Sequence, residues 1–139
     1  MRVKCLAPEL TREQESEYGV PALLHPRYQV TVGGTYLVLG LTFLIKSSIF
    51  GNCCLYQIQD DAGRCASMPN VLTEITDGRV SRFWRVKPSD FGGVTLWPEE
   101  FYQDFFHDRL SDYEPDAVQT FKAVVTRLDN EFGDQTPAA

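Results

Sequence analysis

Thr35-Tyr36-Leu37-Val38-Leu39-Gly40-Leu41-Thr42-Phe43-Leu44-Ile45 follows the turn pair Gly33-Gly34 and contains no charged residue. Its apolar residues do not alternate with polar ones. That pattern fits a central strand covered on both faces, or a strand that bends at Gly40 to serve two parts of a barrel. The apolar run Tyr36 to Ile45 is ten residues long, whereas a membrane span needs about twenty. It therefore reads as core.

Working outward, short β-type runs separated by turn residues fill residues 28–87. Gly51-Asn52 precedes Cys53 to Gln59, Asp60-Asp61-Ala62-Gly63 leads into Arg64 to Ser67, and Val71 to Thr76 and Val80 to Val86 flank Asp77-Gly78. Tyr56 and Ile58 alternate with Leu55, Gln57 and Gln59, which sets one face of that strand toward a core. About five short strands in this space predict a small, strongly bent antiparallel sheet or a barrel. A barrel is the preferred reading.

After Pro88 the pattern becomes helical. Pro98, Glu99 and Glu100 suit a first turn, and the segment is read as one helix running through Phe101, Phe105 and Leu110. A second helix opens near Pro115 and buries Ala117, Phe121, Val124, Leu128 and Phe132 on one stripe, with Gly133 at its end. The fold class is thus α+β in a single domain, 1–139. It divides into an N-terminal extension (1–27), a β part (28–87), a helical part (97–132) and a loose tail (133–139). In the extension, Leu10 to Glu15 starts a short helix capped by Thr11.

The chain has 13 basic against 19 acidic residues and a formal net charge of −6. Nucleic-acid affinity comes largely from cations neutralising phosphates, so this balance disfavours a nucleic-acid partner. The N-terminus lacks the apolar stretch of a secretory signal, which gives the expectation of a cytoplasmic protein without a membrane anchor. Cys5, Cys53, Cys54 and Cys65 form no Cys-x-x-Cys pair and have no histidine at metal-ligand spacing, so neither a metal nor a cofactor is expected. Cys53 and Cys54 read as small packing residues on opposite faces of a strand. His25 and His107 lie in different regions, and pairing either with a cysteine as nucleophile has no supporting basic cluster. No nucleotide-binding or nucleophile-elbow motif occurs, and the reading is that of a protein that is not an enzyme.

The excess charge is concentrated. Glu99, Glu100, Asp104, Asp108, Asp112, Glu114 and Asp116 face Arg109 alone, a local charge of −6 equal to that of the whole chain. Glu100, Asp104 and Asp108 recur at spacing four, predicting an acidic stripe along the first helix. Such a stripe is either a solvated face or a surface that steers a basic partner. Tyr102, Tyr113 and Trp97 interleave with the acids as aromatic anchors would, and each also suits a core. The cations Arg79, Arg82, Arg85 and Lys87 beside Phe83 and Trp84 read as a half-exposed strand salt-bridged to the acidic segment.

Val32 to Gly40, Leu55-Tyr56-Gln57-Ile58-Gln59-Asp60-Asp61, Met68-Pro69, Val80-Ser81-Arg82-Phe83-Trp84 and the closing acidic segment together resemble small bacterial immunity proteins of polymorphic or contact-delivered toxin systems. The β part also resembles the opening hairpins of an SH3-like barrel. The resemblance implies a protein that binds and blocks a cognate toxin domain. A nuclease or deaminase with a positive substrate channel would suit the acidic surface, with Glu100, Asp104, Asp108, Asp112 and Asp116 mimicking phosphates and Tyr102 and Tyr113 as anchors. The alternative is an SH3-like adaptor that takes peptides in an aromatic groove lined by Tyr36, Tyr56 and Trp84. Carboxylate chemistry in a small enzyme is a third.

Overall fold

The computed structural model describes residues 1–21, 23–47, 51–89 and 92–133. Strands β1 (Arg2–Cys5), β2 (Thr35–Leu37) and β6 (Thr73–Asp77) form one antiparallel sheet in the order β2-β1-β6. Strands β3 (Gly40–Ser47), β4 (Gly51–Gln59), β5 (Cys65–Pro69), β7 (Trp84–Pro88) and β8 (Val94–Pro98) form a second, ordered β5-β4-β3-β8-β7. Helix α1 (Arg12–Tyr18) precedes β2, and α2 (Phe106–Ser111) and α3 (Pro115–Gly133) end the chain.

The run quoted first does serve two sheets, and the changeover takes two residues. The Val38 N–H donates to the Met1 carbonyl, and the next N–H, that of Leu39, donates to the Gln57 carbonyl in β4. Leu37 and Leu39 face the helices while Val38 faces the space between the sheets. Gly40 begins β3 because the ring of Trp97 lies where a Cβ would stand, 2.8 Å from Cδ1.

The sheets do not close into a barrel, which corrects the preferred reading. The physical reason is the N-terminal strand. β1 sits between β2 and β6, pairing Val3 with Tyr36 and with Ile75, so the half of the run before Gly40 has its own partner and does not need to curl back onto the five-stranded sheet. The start of the segment set apart by composition as an extension, Arg2–Cys5, is therefore the middle strand of a sheet. Its alternation, Val3 and Cys5 buried between partly exposed Arg2 and Lys4, is that of a half-covered strand.

Three apolar clusters hold these parts together. Met1, Val3, Val38, Leu41, Tyr56 and Trp84 fill the space between the sheets, where the Trp84 indole N–H donates to the Leu39 carbonyl at 2.9 Å. Leu10, Val20, Ile58, Met68 and Leu72 pack around α1. That helix has the cap expected of Thr11, whose hydroxyl accepts from the Gln14 N–H while the Gln14 side chain accepts from the Thr11 N–H. On the other side, Ala117, Phe121, Val124 and Leu128 of α3 join Leu39, Phe101 and Phe106, and Phe132 is buried in line with them. The stripe read from spacing is the one buried.

Residues 98–110 are not one helix. A single 3₁₀ turn, Glu99–Tyr102, is followed by Gln103 in extended backbone and Phe105 at φ +58°, and only then does α2 begin. Phe101 and Phe106 explain the break. Five residues apart, they would diverge by about 140° on a continuous helix, yet their rings stack at 5.1 Å in one core. Phe105, expected to share that face, points out instead and is 75% exposed. The predicted stripe Glu100, Asp104, Asp108 therefore does not lie along one helix.

Candidate protein-binding face

The seven residues singled out from the sequence separate into two groups. Glu100, Tyr102 and Asp116 are occupied within the chain. Glu100 accepts two hydrogen bonds from the Arg127 guanidinium of α3, at 2.7 and 2.8 Å, and these bonds hold its carboxyl below the usual range. The Tyr102 ring stacks on Trp97 at 5.0 Å between centroids and lies under the Lys87 ammonium at 4.3 Å. Its hydroxyl meets the Thr95 hydroxyl at 2.7 Å and the Arg85 carbonyl at 2.8 Å, tying the 3₁₀ turn to β7 and β8. Asp116 accepts from Arg109 at 2.8 Å, and the same guanidinium lies 3.9 Å from Glu114 and donates to Gln103.

Asp104, Asp108, Asp112 and Tyr113 form the second group, and all are exposed. Among the described residues the three aspartates have no side-chain hydrogen bond or ion pair. Asp104 lies in the break before α2, Asp108 in its first turn and Asp112 at its C-cap. The carboxylate at that C-cap faces the negative end of the helix dipole, which does not favour it. Tyr113 is 66% exposed with φ +56°.

Phe105 belongs with them and was missed, because helical spacing assigned it to the core. The tandem Phe105-Phe106 is where the signal lies: adjacent residues on a helix diverge by about 100°, so only one of the two sits at the centre of a buried stripe. Phe105 and Tyr113 thus bracket α2. Both are bulky residues in left-handed backbone. Tyr113 takes that conformation as the residue closing α2, its N–H and that of Glu114 donating to the Leu110 and Arg109 carbonyls, and Phe105 takes it at the break that brings Phe101 and Phe106 together; both rings nevertheless stay exposed. Two exposed aromatic rings beside three unpaired carboxylates can dock on a cationic, partly apolar surface.

The remaining candidates are accounted for by the core. Tyr56 and Trp84 are buried between the sheets, and the Tyr36 hydroxyl donates to Asp61 and accepts from the Thr31 N–H, so these three do not line a groove. Of the expected bridges between β7 and the acidic segment, Lys87 to Glu99 is present at 3.6 Å. Arg79 instead pairs with Asp77, holding that carboxyl down at about 2, and Arg82 and Arg127 both lie over the Phe83 ring. His107 is enclosed by Trp97, Phe101 and Phe106, with Nε2 3.3 Å from Gln57 Oε1, and burial pushes its pKa down. Burial pushes the Cys53 and Cys54 thiols up to about 11 and Cys65 to about 12, leaving negligible thiolate at neutral pH. Among the described residues no His, Cys, Asp and Glu are grouped to hold a metal ion, and no helix is long and apolar enough to cross a membrane. Comparison with protein-family models, with curated proteins and with solved structures finds no match to this chain.

Proposed function

We propose that this chain is a binding protein of the immunity type, which neutralises a basic cognate toxin domain by docking on it through the face around α2. One observation carries the reading: Phe105 and Tyr113, exposed and held in left-handed backbone, stand beside the unpaired carboxylates of Asp104, Asp108 and Asp112. Aromatic anchors supply most of the affinity at an interface, while a patch of one sign accelerates the encounter with an oppositely charged partner. The contact centres on α2 and not on the full acidic segment, because Glu100, Tyr102 and Asp116 are already engaged by Arg127, Thr95 and Arg109. A nuclease or deaminase with a cationic substrate channel has the matching charge.

The test is co-expression with the toxic domain encoded beside this chain, coupled to association kinetics of the purified pair. Protection by the native chain, and slower association with a shallower salt dependence for Asp104→Lys with Asp108→Lys, are expected. Full protection and unchanged kinetics in that double variant would remove the α2 face from the interface. Absence of protection by the native chain would remove the immunity role.

A further inference from the structure

Between β5 and the two C-terminal helices lies a cleft of about 420 Å³, within the range of small-molecule sites. Leu110, Val118 and Phe121 give it an apolar wall, and its rim carries Arg64 from the β4–β5 turn and Lys122 from α3. Ser67 and Ser111 also line it. No carboxylate lines it, although acids outnumber bases in the chain by 19 to 13.

Most cations of the chain have a partner within it. Arg2, Lys4, Arg27, Arg79, Lys87, Arg109 and Arg127 each reach a carboxylate within 4.0 Å. Arg82 and Arg85 are taken up by the Phe83 ring and by main-chain carbonyls. Arg12, Arg64 and Lys122 have no such partner among the described residues, and of these Arg64 and Lys122 stand at the same cleft. His107 and Cys65 line its inner side, and burial keeps the imidazole and the thiol uncharged at neutral pH. The interior is therefore neutral and partly apolar, with its positive charge at the mouth.

We propose that this cleft binds a small amphipathic carboxylate, its ring or chain against Leu110, Val118 and Phe121 and its carboxylate between Arg64 and Lys122. Inorganic phosphate fits less well, because it would leave the apolar wall uncovered. A neutral molecule would leave both cations without a counter-charge. Tyr113 lines the cleft as well as the proposed docking face, but the two readings are tested apart, since occupancy of the cleft is measured with no protein partner present.

The probe is 3-phenylpropanoate, titrated into the full chain while backbone amide resonances are followed by two-dimensional NMR, with 3-phenylpropanamide and inorganic phosphate as comparisons. Saturable shifts at Leu110, Val118 and Lys122 are expected, with the amide binding at least about tenfold more weakly, the equivalent of one charge-assisted contact. Arg64→Gln with Lys122→Gln should reduce the acid to the affinity of the amide and leave the amide unchanged. Both side chains are exposed, and an unaltered spectrum away from the cleft verifies the fold. Equal affinity for acid and amide, phosphate binding as tightly as the acid, or no saturable shift up to about 10 mM would each overturn the proposal.

Discussion

Replacing Phe105 by glycine should leave the stability of the fold nearly unchanged while weakening the proposed contact. With three-quarters of its surface exposed, the side chain contributes about a quarter of the roughly 1.5–3 kcal/mol that full burial of a phenylalanine is worth, or about 0.5 kcal/mol. Left-handed backbone at φ +58° costs a residue with a Cβ about 1–2 kcal/mol, and glycine removes that cost. Against this, glycine's greater freedom in the unfolded chain costs about 0.5–1 kcal/mol. The balance lies between about 0.5 kcal/mol against the variant and about 1 kcal/mol in its favour. In urea, with a slope of about 1–3 kcal/mol/M, the midpoint should move by no more than about 1 M at constant slope. The adjacent residue is the control: Phe106, 1% exposed and stacked on Phe101, should lose about 3–5 kcal/mol on conversion to alanine. For the partner, Phe105→Gly should cost about 2 kcal/mol of binding, roughly thirtyfold in affinity. If Phe105→Gly instead lost more than about 1 kcal/mol of stability, the ring would be a structural anchor and the reasoning from strain would fail.

Two further outcomes separate the internal residues from the exposed ones. Glu100→Gln breaks a partly exposed bidentate pair with Arg127 and should cost about 1 kcal/mol in urea unfolding, with no effect on partner association; slowed association would return Glu100 to the interface. The two histidines should titrate on opposite sides of the ordinary value of 6.5, which proton NMR reads directly. His25 bridges Glu15 and Glu9, and those hydrogen bonds raise its pKa, so the stability they add is complete below the unfolded value and is lost as pH rises through the raised one. His107 is lowered by burial, so its neutral form is the one that folds and stability declines as pH falls below 6.5. A His107 that titrated above His25 would contradict the enclosure by Trp97, Phe101 and Phe106.

Local pattern made α3, the turn before β5 and the bend at Gly40 legible in the sequence. Each rests on interactions within a few residues: the 3.6-residue stripe, Asp60-Asp61-Ala62-Gly63, and a glycine inside an apolar run. β1 was not legible, because a four-residue strand becomes one only through partners more than thirty residues away, Tyr36 on one side and Ile75 on the other. β8 was hidden for a related reason. Val94 to Pro98 reads as the approach to a helix until β3 and β7 are placed beside it. Of the seven candidate binding residues, Asp104, Asp108, Asp112 and Tyr113 are exposed, whereas Glu100, Tyr102 and Asp116 are engaged within the chain. Charge counting does not know that Arg127, one helix away, reaches back to Glu100.

Counted along the sequence, residues 99–116 carry the entire net charge of −6. In space, Lys87 meets Glu99, Arg127 meets Glu100, and Arg109 lies against Glu114 and Asp116. Four of the seven acids are thus paired with three cations drawn from β7, α2 and α3, and the three acids that are left stand around one short helix. A surface built only for solubility would disperse its free charges and keep large aromatic rings covered. Here the free charges are gathered, and the rings of Phe105 and Tyr113 are uncovered at a cost in backbone strain. The backbone cost at Tyr113 is offset where the Tyr113 and Glu114 N–H groups close α2 on the Leu110 and Arg109 carbonyls, and that at Phe105 where the break brings Phe101 and Phe106 together. The physical case for a docking face is therefore the exposure of both rings beside three unpaired carboxylates, and the stability of Phe105→Gly measures how much of the Phe105 cost the fold recovers.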